Sequence, residues 1–134
     1  ITAYRQQLQR GFEKIGQLRE SRSAHQQMHL IKQYIEERYD NSELSLSHLS
    51  EVFNFSTSYL SRLFREAFGM KFIEFVTQVR MDKAMELLAE TDETIQEIGR
   101  KVGYDQSLTF IRVFKKHTGE TPGQYRKKLR SESE

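Results

Sequence analysis

Two arginines, Arg62 and Arg112, occupy matching positions in two similar stretches of the chain. A guanidinium group is a rigid fork of donors that can bond both acceptors on the edge of a guanine. Polar residues surround each arginine, and side chains of this kind also reach base edges and phosphates. The neighbours predicted to share these surfaces are Thr57, Ser58 and Ser61, and then Gln106, Ser107, Leu108 and Thr109. The pattern predicts the reading of DNA bases at two places, with Leu108 suited to a thymine methyl group.

The surrounding stretches repeat one pattern. Residues 46–80 read LSHLSEVFNFSTSYLSRLFREAFGMKFIEFVTQVR, and residues 95–130 read IQEIGRKVGYDQSLTFIRVFKKHTGETPGQYRKKLR. Phe64 and Gly69 of the first stretch match Phe114 and Gly119 of the second. Each copy is predicted to form a short helix, a tight turn and a longer helix. A doubled unit of this kind suits a protein that reads two adjacent DNA grooves.

Capping residues mark where these helices begin and end. Hydroxyl side chains that accept a bond from the first turn of a helix are predicted at Ser45, at Ser56 or Thr57, at Thr94 and at Thr121. Residues that tolerate a left-handed backbone are predicted to end helices at Asn54, Gly69, Gly103 and Gly119. Ser50 and Gly99 occupy equivalent positions, where a small residue lets two helices approach closely. Val52 is predicted to lie in the core with Leu46 and Leu49.

A third helix is predicted between the two copies, over residues 72–90. Apolar residues recur there at helical spacing without Pro or Gly. A helix of this length is about 30 Å long, and successive major grooves on one face of DNA are about 34 Å apart. The pattern therefore predicts a stiff spacer that sets two recognition helices one DNA turn apart.

The sequence resembles the C-terminal DNA-binding domain of the AraC/XylS family of bacterial transcription regulators. The resemblance rests on the turn IQEIGRKVGY, the helix SLTFIRVFKK and the ending GETPGQYR, and it covers about residues 26–130. It implies an all-α fold with two helix-turn-helix subdomains joined by a long central helix. It also implies binding to double-stranded promoter DNA, activation of transcription and contact with RNA polymerase. The chain departs from the family in having Gly99 where Ala is usual and Tyr104 where Phe is common.

The organisation expected from these patterns has two main parts. A linker helix, a candidate coiled coil, is predicted over residues 1–22, and the DNA-binding domain over residues 25–130. Within that domain we predict a first helix-turn-helix at 45–69, the central helix at 72–90, a second helix-turn-helix at 94–118 and a C-terminal helix at 121–130.

The charge of the chain is small overall but unevenly placed. The net charge of the 134 residues is only +2, which excludes a polycation that coats nucleic acid. From residue 94 onward, however, the chain has nine Lys and Arg residues and only five Asp and Glu residues. These cations are predicted to contact phosphates, which would make affinity depend on salt. The predicted set is Arg112, Lys115, Lys116, Arg126, Lys127, Lys128 and Arg130.

Enzymatic and metal-binding functions find little support. The chain has no cysteine, which excludes thiolate sites and disulfides and fits a reducing cytoplasm. It has neither a phosphate-binding glycine loop nor a nucleophile elbow. His25 and His29 have the spacing of metal ligands but no third ligand, so a solvent-facing pair is the better interpretation. We therefore predict no enzyme, cofactor or metal. The rival class is a helical adaptor for a protein partner, which would not need the repeated Arg62 and Arg112.

The first residues carry a separate signal. Ile1, Tyr4, Leu8, Ile15 and Leu18 recur at heptad-like spacing. Three interpretations stay open: a coiled-coil linker, a helix folded back on the domain, or a frayed end. The first predicts a homodimer formed through Ile1, Leu8, Ile15 and Leu18. Because the chain begins with Ile, we expect it to be cut from a longer protein with a sensor domain upstream, and a membrane anchor there stays open.

Overall fold

The computed structural model describes residues 21–132, with side chains described from residue 26 onward. The seven helices of this part are α1 (Ser21–Arg38), α2 (Leu46–Phe53), α3 (Thr57–Phe68), α4 (Phe72–Glu90), α5 (Ile95–Lys101), α6 (Ser107–Thr118) and α7 (Pro122–Glu132). No strand occurs among these residues, and the predicted all-α class with two helix-turn-helix units is confirmed. The candidate coiled-coil residues Ile1, Leu8, Ile15 and Leu18 lie outside the described part.

The predicted caps of the first helix-turn-helix are confirmed. The Ser45 hydroxyl accepts a hydrogen bond from the His48 N–H at 3.1 Å, which opens α2. Helix α2 ends at Asn54, whose φ of 59° is left-handed, a conformation that asparagine tolerates. Ser56, rather than Thr57, caps α3 by accepting from the Tyr59 N–H at 3.1 Å. These local bonds fix the angle at which α3 leaves the turn.

The second copy shares some of these caps but not all. Val102, with a φ of −99°, is the C-cap of α5, and Gln106 before α6 makes no side-chain cap bond. The Thr94 hydroxyl accepts from the Glu97 N–H at 3.1 Å, and Gly103 takes the left-handed conformation with a φ of 105°. Thr121 and Gln124 form a complete capping box at the start of α7. Gln124 N–H donates to the Thr121 hydroxyl at 3.1 Å, and Thr121 N–H donates to the Gln124 side-chain oxygen at 2.9 Å. Hydrogen bonds between residues close in sequence therefore set where helices begin in both copies.

Two compact units divide these helices. The first comprises the described residues up to Arg38 together with Glu43–Val79. Its interior is a stack of aromatic rings in which Phe68 and Phe75 lie 5.3 Å apart and Phe64 and Phe75 lie 5.9 Å apart. The buried apolar residues of this unit include Met28, Ile31, Ile35, Leu49, Leu60, Leu63 and Val76.

One residue predicted for this core does not lie in it. Val52 is 46% exposed, so the prediction that it packs with Leu49 is wrong. In a helix as short as α2 only a narrow stripe can face the interior, and Phe53 occupies that stripe. Its ring meets Tyr34 edge-on at 5.5 Å.

The second unit comprises Tyr39–Ser42 together with the described residues from Arg80 onward. Its core residues are Met81, Ala84, Leu88, Ile98, Val102, Phe110 and Phe114. Tyr125 of α7 packs on this core, with its ring 5.6 Å from that of Phe114. Helix α4 contributes to both units, since the division falls between Val79 and Arg80.

A buried arginine ties Tyr39–Ser42 to this second unit. Arg80 is only 7% exposed. Its Nε donates to the Tyr39 carbonyl oxygen at 2.8 Å, and its Nη2 donates to the Asn41 carbonyl oxygen at 2.9 Å. The guanidinium also lies over the Tyr104 ring, 5.3 Å from its centre. Because an unpaired buried charge is costly, these contacts hold the segment in place.

Candidate nucleic-acid interface

Helix α3 has one buried face and one free face. Leu60, Leu63, Phe64, Ala67 and Phe68 face the core. The opposite side presents the predicted site residues: Thr57, Ser58 and Arg62 are exposed, and Ser61 is half-buried. This arrangement leaves a polar, positively charged stripe available to a ligand.

Helix α6 repeats that arrangement in the second unit. Phe110 and Phe114 are buried, whereas Gln106, Arg112, Lys115 and Lys116 are exposed and Ser107 and Thr109 are half-buried. Leu108 is 73% exposed, although it is a leucine. Ile111 is half-buried. An apolar side chain held in water beside polar donors suits contact with a base methyl group.

The two arginines that suggested a nucleic-acid interface lie at equivalent places. Arg62 follows the N-terminus of α3 at Thr57 by five residues, and Arg112 follows that of α6 at Ser107 by five residues. Both guanidinium groups are exposed. Arg62 also lies over the ring of Tyr59, 5.4 Å from its centre. Each helix-turn-helix thus presents an exposed guanidinium group at the same position of its second helix.

One exposed cation was missed by the sequence prediction. Arg65 lies one turn beyond Arg62 on α3 and is exposed. The repeat itself carries the signal that could have found it, since Arg65 aligns with Lys115 at the same offset that aligns Arg62 with Arg112. Arg65 belongs to the stripe on α3 as Lys115 does to the stripe on α6.

Two residues predicted to contact phosphate have other partners. The Arg126 guanidinium donates to the carbonyl oxygens of Leu88, Thr91 and Glu93 at 3.1, 3.1 and 2.6 Å. Arg130 donates to the Thr91 carbonyl oxygen and pairs with Asp92 at 2.6 Å. Arg126 therefore ties α7 to the last turn of α4, where carbonyl groups lack partners within the helix, and to the segment that follows Glu90. Arg130 contacts that following segment, at Thr91 and Asp92. Lys127 and Lys128, which lie between the two arginines in the chain, are exposed.

The described part of the chain adds no ligands to the predicted histidine pair. Residues 26–132 hold no group of three His, Asp or Glu side chains that could bind a metal ion. His29 is exposed, and the side chain of His25 is not described. None of the helices in this part is long and apolar enough to cross a membrane.

Comparison with known proteins places this geometry in a family. A family model described as a helix-turn-helix domain matches residues 49–128. An HTH-type transcriptional regulator of Bacillus subtilis, YtdP, is 41% identical over 90 residues, which are 67% of this chain and 12% of that protein. The Msm operon regulatory protein of Streptococcus mutans is 33% identical over 101 residues, or 75% of this chain and 36% of that protein. The chain thus spans a small part of such relatives.

Solved structures agree on the fold. The C-terminal domain of AraT, a response regulator from Geobacillus stearothermophilus, is 43% identical with a TM-score of 0.71, covering 72% of this chain and 79% of that one. The C-terminal domain of the two-component response regulator yesN from Fusobacterium nucleatum is 42% identical with a TM-score of 0.74, covering 75% and 98%. The DNA-binding domain of AdpA, solved with a target DNA, has a TM-score of 0.72 at 20% identity and covers 76% and 91%.

Proposed function

The chain belongs to the AraC/XylS-type family of helix-turn-helix transcription regulators, and from that premise we propose how it engages DNA. Helices α3 and α6 each enter a major groove, and their exposed faces read base edges. The observation that carries this proposal is the pair Arg62 and Arg112. Both are exposed at the same position on the second helix of each helix-turn-helix.

Each exposed residue has a distinct role in this proposal. Arg62 and Arg112 bond guanine edges, and Leu108 contacts a thymine methyl group. The shorter polar residues share the two grooves with them: Thr57, Ser58, Ser61, Gln106, Ser107 and Thr109. Lys115 and Lys116, together with Arg65, bind phosphate oxygens, which position the protein without reading sequence. Exposure of these cations supports the assignment.

The spacing of the two grooves is assigned to α4. This helix has 19 residues without interruption and is therefore about 30 Å long. Successive major grooves on one face of DNA are about 34 Å apart. A single chain would thus bind a site for which helix-turn-helix proteins ordinarily use two chains.

The activity of the whole protein is proposed on the strength of its relatives. Proteins named as transcriptional regulators and response regulators resemble this chain at over 40% identity. We place the protein in the cytoplasm, bound to promoter DNA as an activator, with RNA polymerase as a partner. Further domains sense the signal, and two copies of the protein form a homodimer. The residues predicted to pair them, Ile1, Leu8, Ile15 and Leu18, lie outside the described part of the chain.

Selection of DNA from a random pool tests the proposal directly. The 134-residue chain should enrich a motif with two blocks, each containing a guanine, separated by about one helical turn of 10–10.5 base pairs. Footprinting of the enriched DNA should protect both blocks. Equal affinity for all sequences would refute base reading. The absence of any binding at low salt would favour the helical adaptor instead.

A further inference from the structure

The first recognition helix contains a contact between its arginine and a tyrosine ring. The Arg62 guanidinium carbon lies 5.4 Å from the centre of the Tyr59 ring, within the range of a cation–π interaction. Residues three apart are neighbours on a helix surface. The ring therefore removes some of the rotamers that a long, exposed arginine would otherwise sample.

The ring of Tyr59 is itself held in place. Phe55, in the turn before α3, lies 5.0 Å from it with a tilt of 57°. The Tyr59 N–H donates to the Ser56 hydroxyl, and Ser50 of α2 donates its hydroxyl hydrogen to the Phe55 carbonyl oxygen. The turn thus supports an aromatic pair, and that pair supports the arginine.

The second copy has no such support for its arginine. Thr109 occupies the position equivalent to Tyr59. Within residues 26–132, Arg112 makes no hydrogen bond, ion pair or ring contact. Tyr104, the counterpart of Phe55, lies instead beside the buried Arg80 at 5.3 Å. The two copies therefore use their turn aromatic residue for different purposes.

We propose that Tyr59, backed by Phe55, is a positioning residue that presets Arg62 for its guanine, so that α3 discriminates guanine more sharply than α6 does. This inference rests on the proposed function, because it requires Arg62 to read a base. A side chain already restricted in the free protein loses less freedom on binding. The same restriction penalises any base that would require Arg62 to move.

The test measures discrimination as a ratio of two affinities. One is for DNA selected by the chain from a random pool, and the other is for the same DNA with the guanine opposite Arg62 replaced. Tyr59→Leu removes the ring and keeps an apolar side chain. It should lower the ratio about 2- to 5-fold, which is the change in affinity that corresponds to the free energy of an exposed cation–π contact. Tyr59→Phe keeps the ring and should retain the ratio of the original chain.

A double variant separates positioning from folding. In an Arg62→Ala background, Tyr59→Leu should have no further effect on discrimination, because the ring then has no arginine to position. Tyr34→Leu is the matched control, since Tyr34 lies under Arg38 at 4.1 Å in the same unit but outside α3. It should leave the ratio unchanged even if it lowers stability.

The possible results are distinct. Full discrimination by Tyr59→Leu, or an equal loss with and without Arg62, would overturn the positioning role. Discrimination at the Arg112 guanine that equals or exceeds that at the Arg62 guanine would overturn the ranking of the two helices. If the original chain shows no discrimination at either guanine, the proposed function itself fails and this inference fails with it.

Discussion

Arg126 joins α7 to the end of α4, because its Nε donates to the carbonyl oxygen of Leu88 at 3.1 Å. Its other nitrogens reach Thr91 and Glu93. The guanidinium thus satisfies one carbonyl group in the last turn of α4, which a helix end leaves without a partner, and two more in the segment that follows Glu90. The residue next to it, Lys127, is exposed. Two adjacent cations in one basic run therefore have different roles.

Replacing these two cations should give opposite results. Arg126→Met removes hydrogen bonds made by a charged donor and should lower the free energy of unfolding by about 1.5–3 kcal/mol. Lys127→Met should leave stability within about 0.5 kcal/mol and reduce the salt dependence of DNA affinity by about one unit of slope. Chemical denaturation and binding at several salt concentrations measure both. An unaltered stability of Arg126→Met would show that its carbonyl contacts contribute nothing.

Loss of either arginine proposed to face a groove should affect specific DNA most. Arg62→Ala and Arg112→Ala should each weaken binding to the selected site by about 1–3 kcal/mol, and binding to random DNA much less. The reason is that bidentate bonds to guanine exist only on the correct base. Competition assays on both kinds of DNA measure the difference. Equal losses on the two DNAs would mean that these arginines contact phosphate.

Alanine substitutions at three glycines should change the stability of the fold to different degrees. Gly103 has a φ of 105°, and a Cβ there would lie 2.7 Å from the Tyr39 carbonyl oxygen. Gly103→Ala should therefore cost about 2–4 kcal/mol, from backbone strain and a clash together. Gly119→Ala meets no neighbour but keeps a positive φ, and it should cost about 1–2 kcal/mol.

Gly123→Ala supplies the control for that series. A Cβ at Gly123 meets nothing within 4 Å, and the residue lies in the first turn of α7. The substitution should be neutral or stabilise the fold by up to about 1 kcal/mol. Thermal melts of the three variants give the order, and a Gly103→Ala variant as stable as Gly123→Ala would contradict it.

A break in α4 should shorten the protected DNA. Val79→Pro removes a backbone donor and kinks the helix, at a cost of about 3 kcal/mol or more. Binding to one groove should survive in a variant that remains folded by circular dichroism, but protection of the second groove should be lost. Val79→Ala, which keeps the N–H, is the control. A footprint of full length from folded Val79→Pro would rule out α4 as a rigid spacer.

Features fixed by neighbouring residues were predictable from the sequence. The caps at Ser45, Asn54, Thr94 and Thr121 were all confirmed, because each depends on a side chain or a backbone angle within a few residues. The close approach at Gly99, whose Cβ would lie 3.0 Å from the Phe110 ring, was predictable for another reason, since the repeat aligns Gly99 with the small residue Ser50. The helical spacing of apolar residues was likewise enough to predict that Phe110 and Phe114 form the buried face of α6.

Features set by distant residues were not predictable. Arg80 and Arg126 read as ordinary cations in the sequence, yet each bonds carbonyl groups far away in the chain. Val52 had the spacing of a core residue. The width of the buried stripe on α2, however, depends on which residues of other helices pack against it, as Tyr34 does against Phe53. Nothing in the residues around Tyr39 indicated that it belongs with the second unit.

The membership of Tyr39–Ser42 in the second unit limits how the two halves of the chain can be separated or exchanged. Tyr39–Ser42 lies in the chain before the first helix-turn-helix but belongs structurally to the second unit. A gene fragment starting at Arg80 would lack both carbonyl acceptors of that buried guanidinium. The second half is therefore not a contiguous module that could be excised, swapped or evolved alone, whereas a piece that begins before Tyr39 carries everything its buried arginine requires.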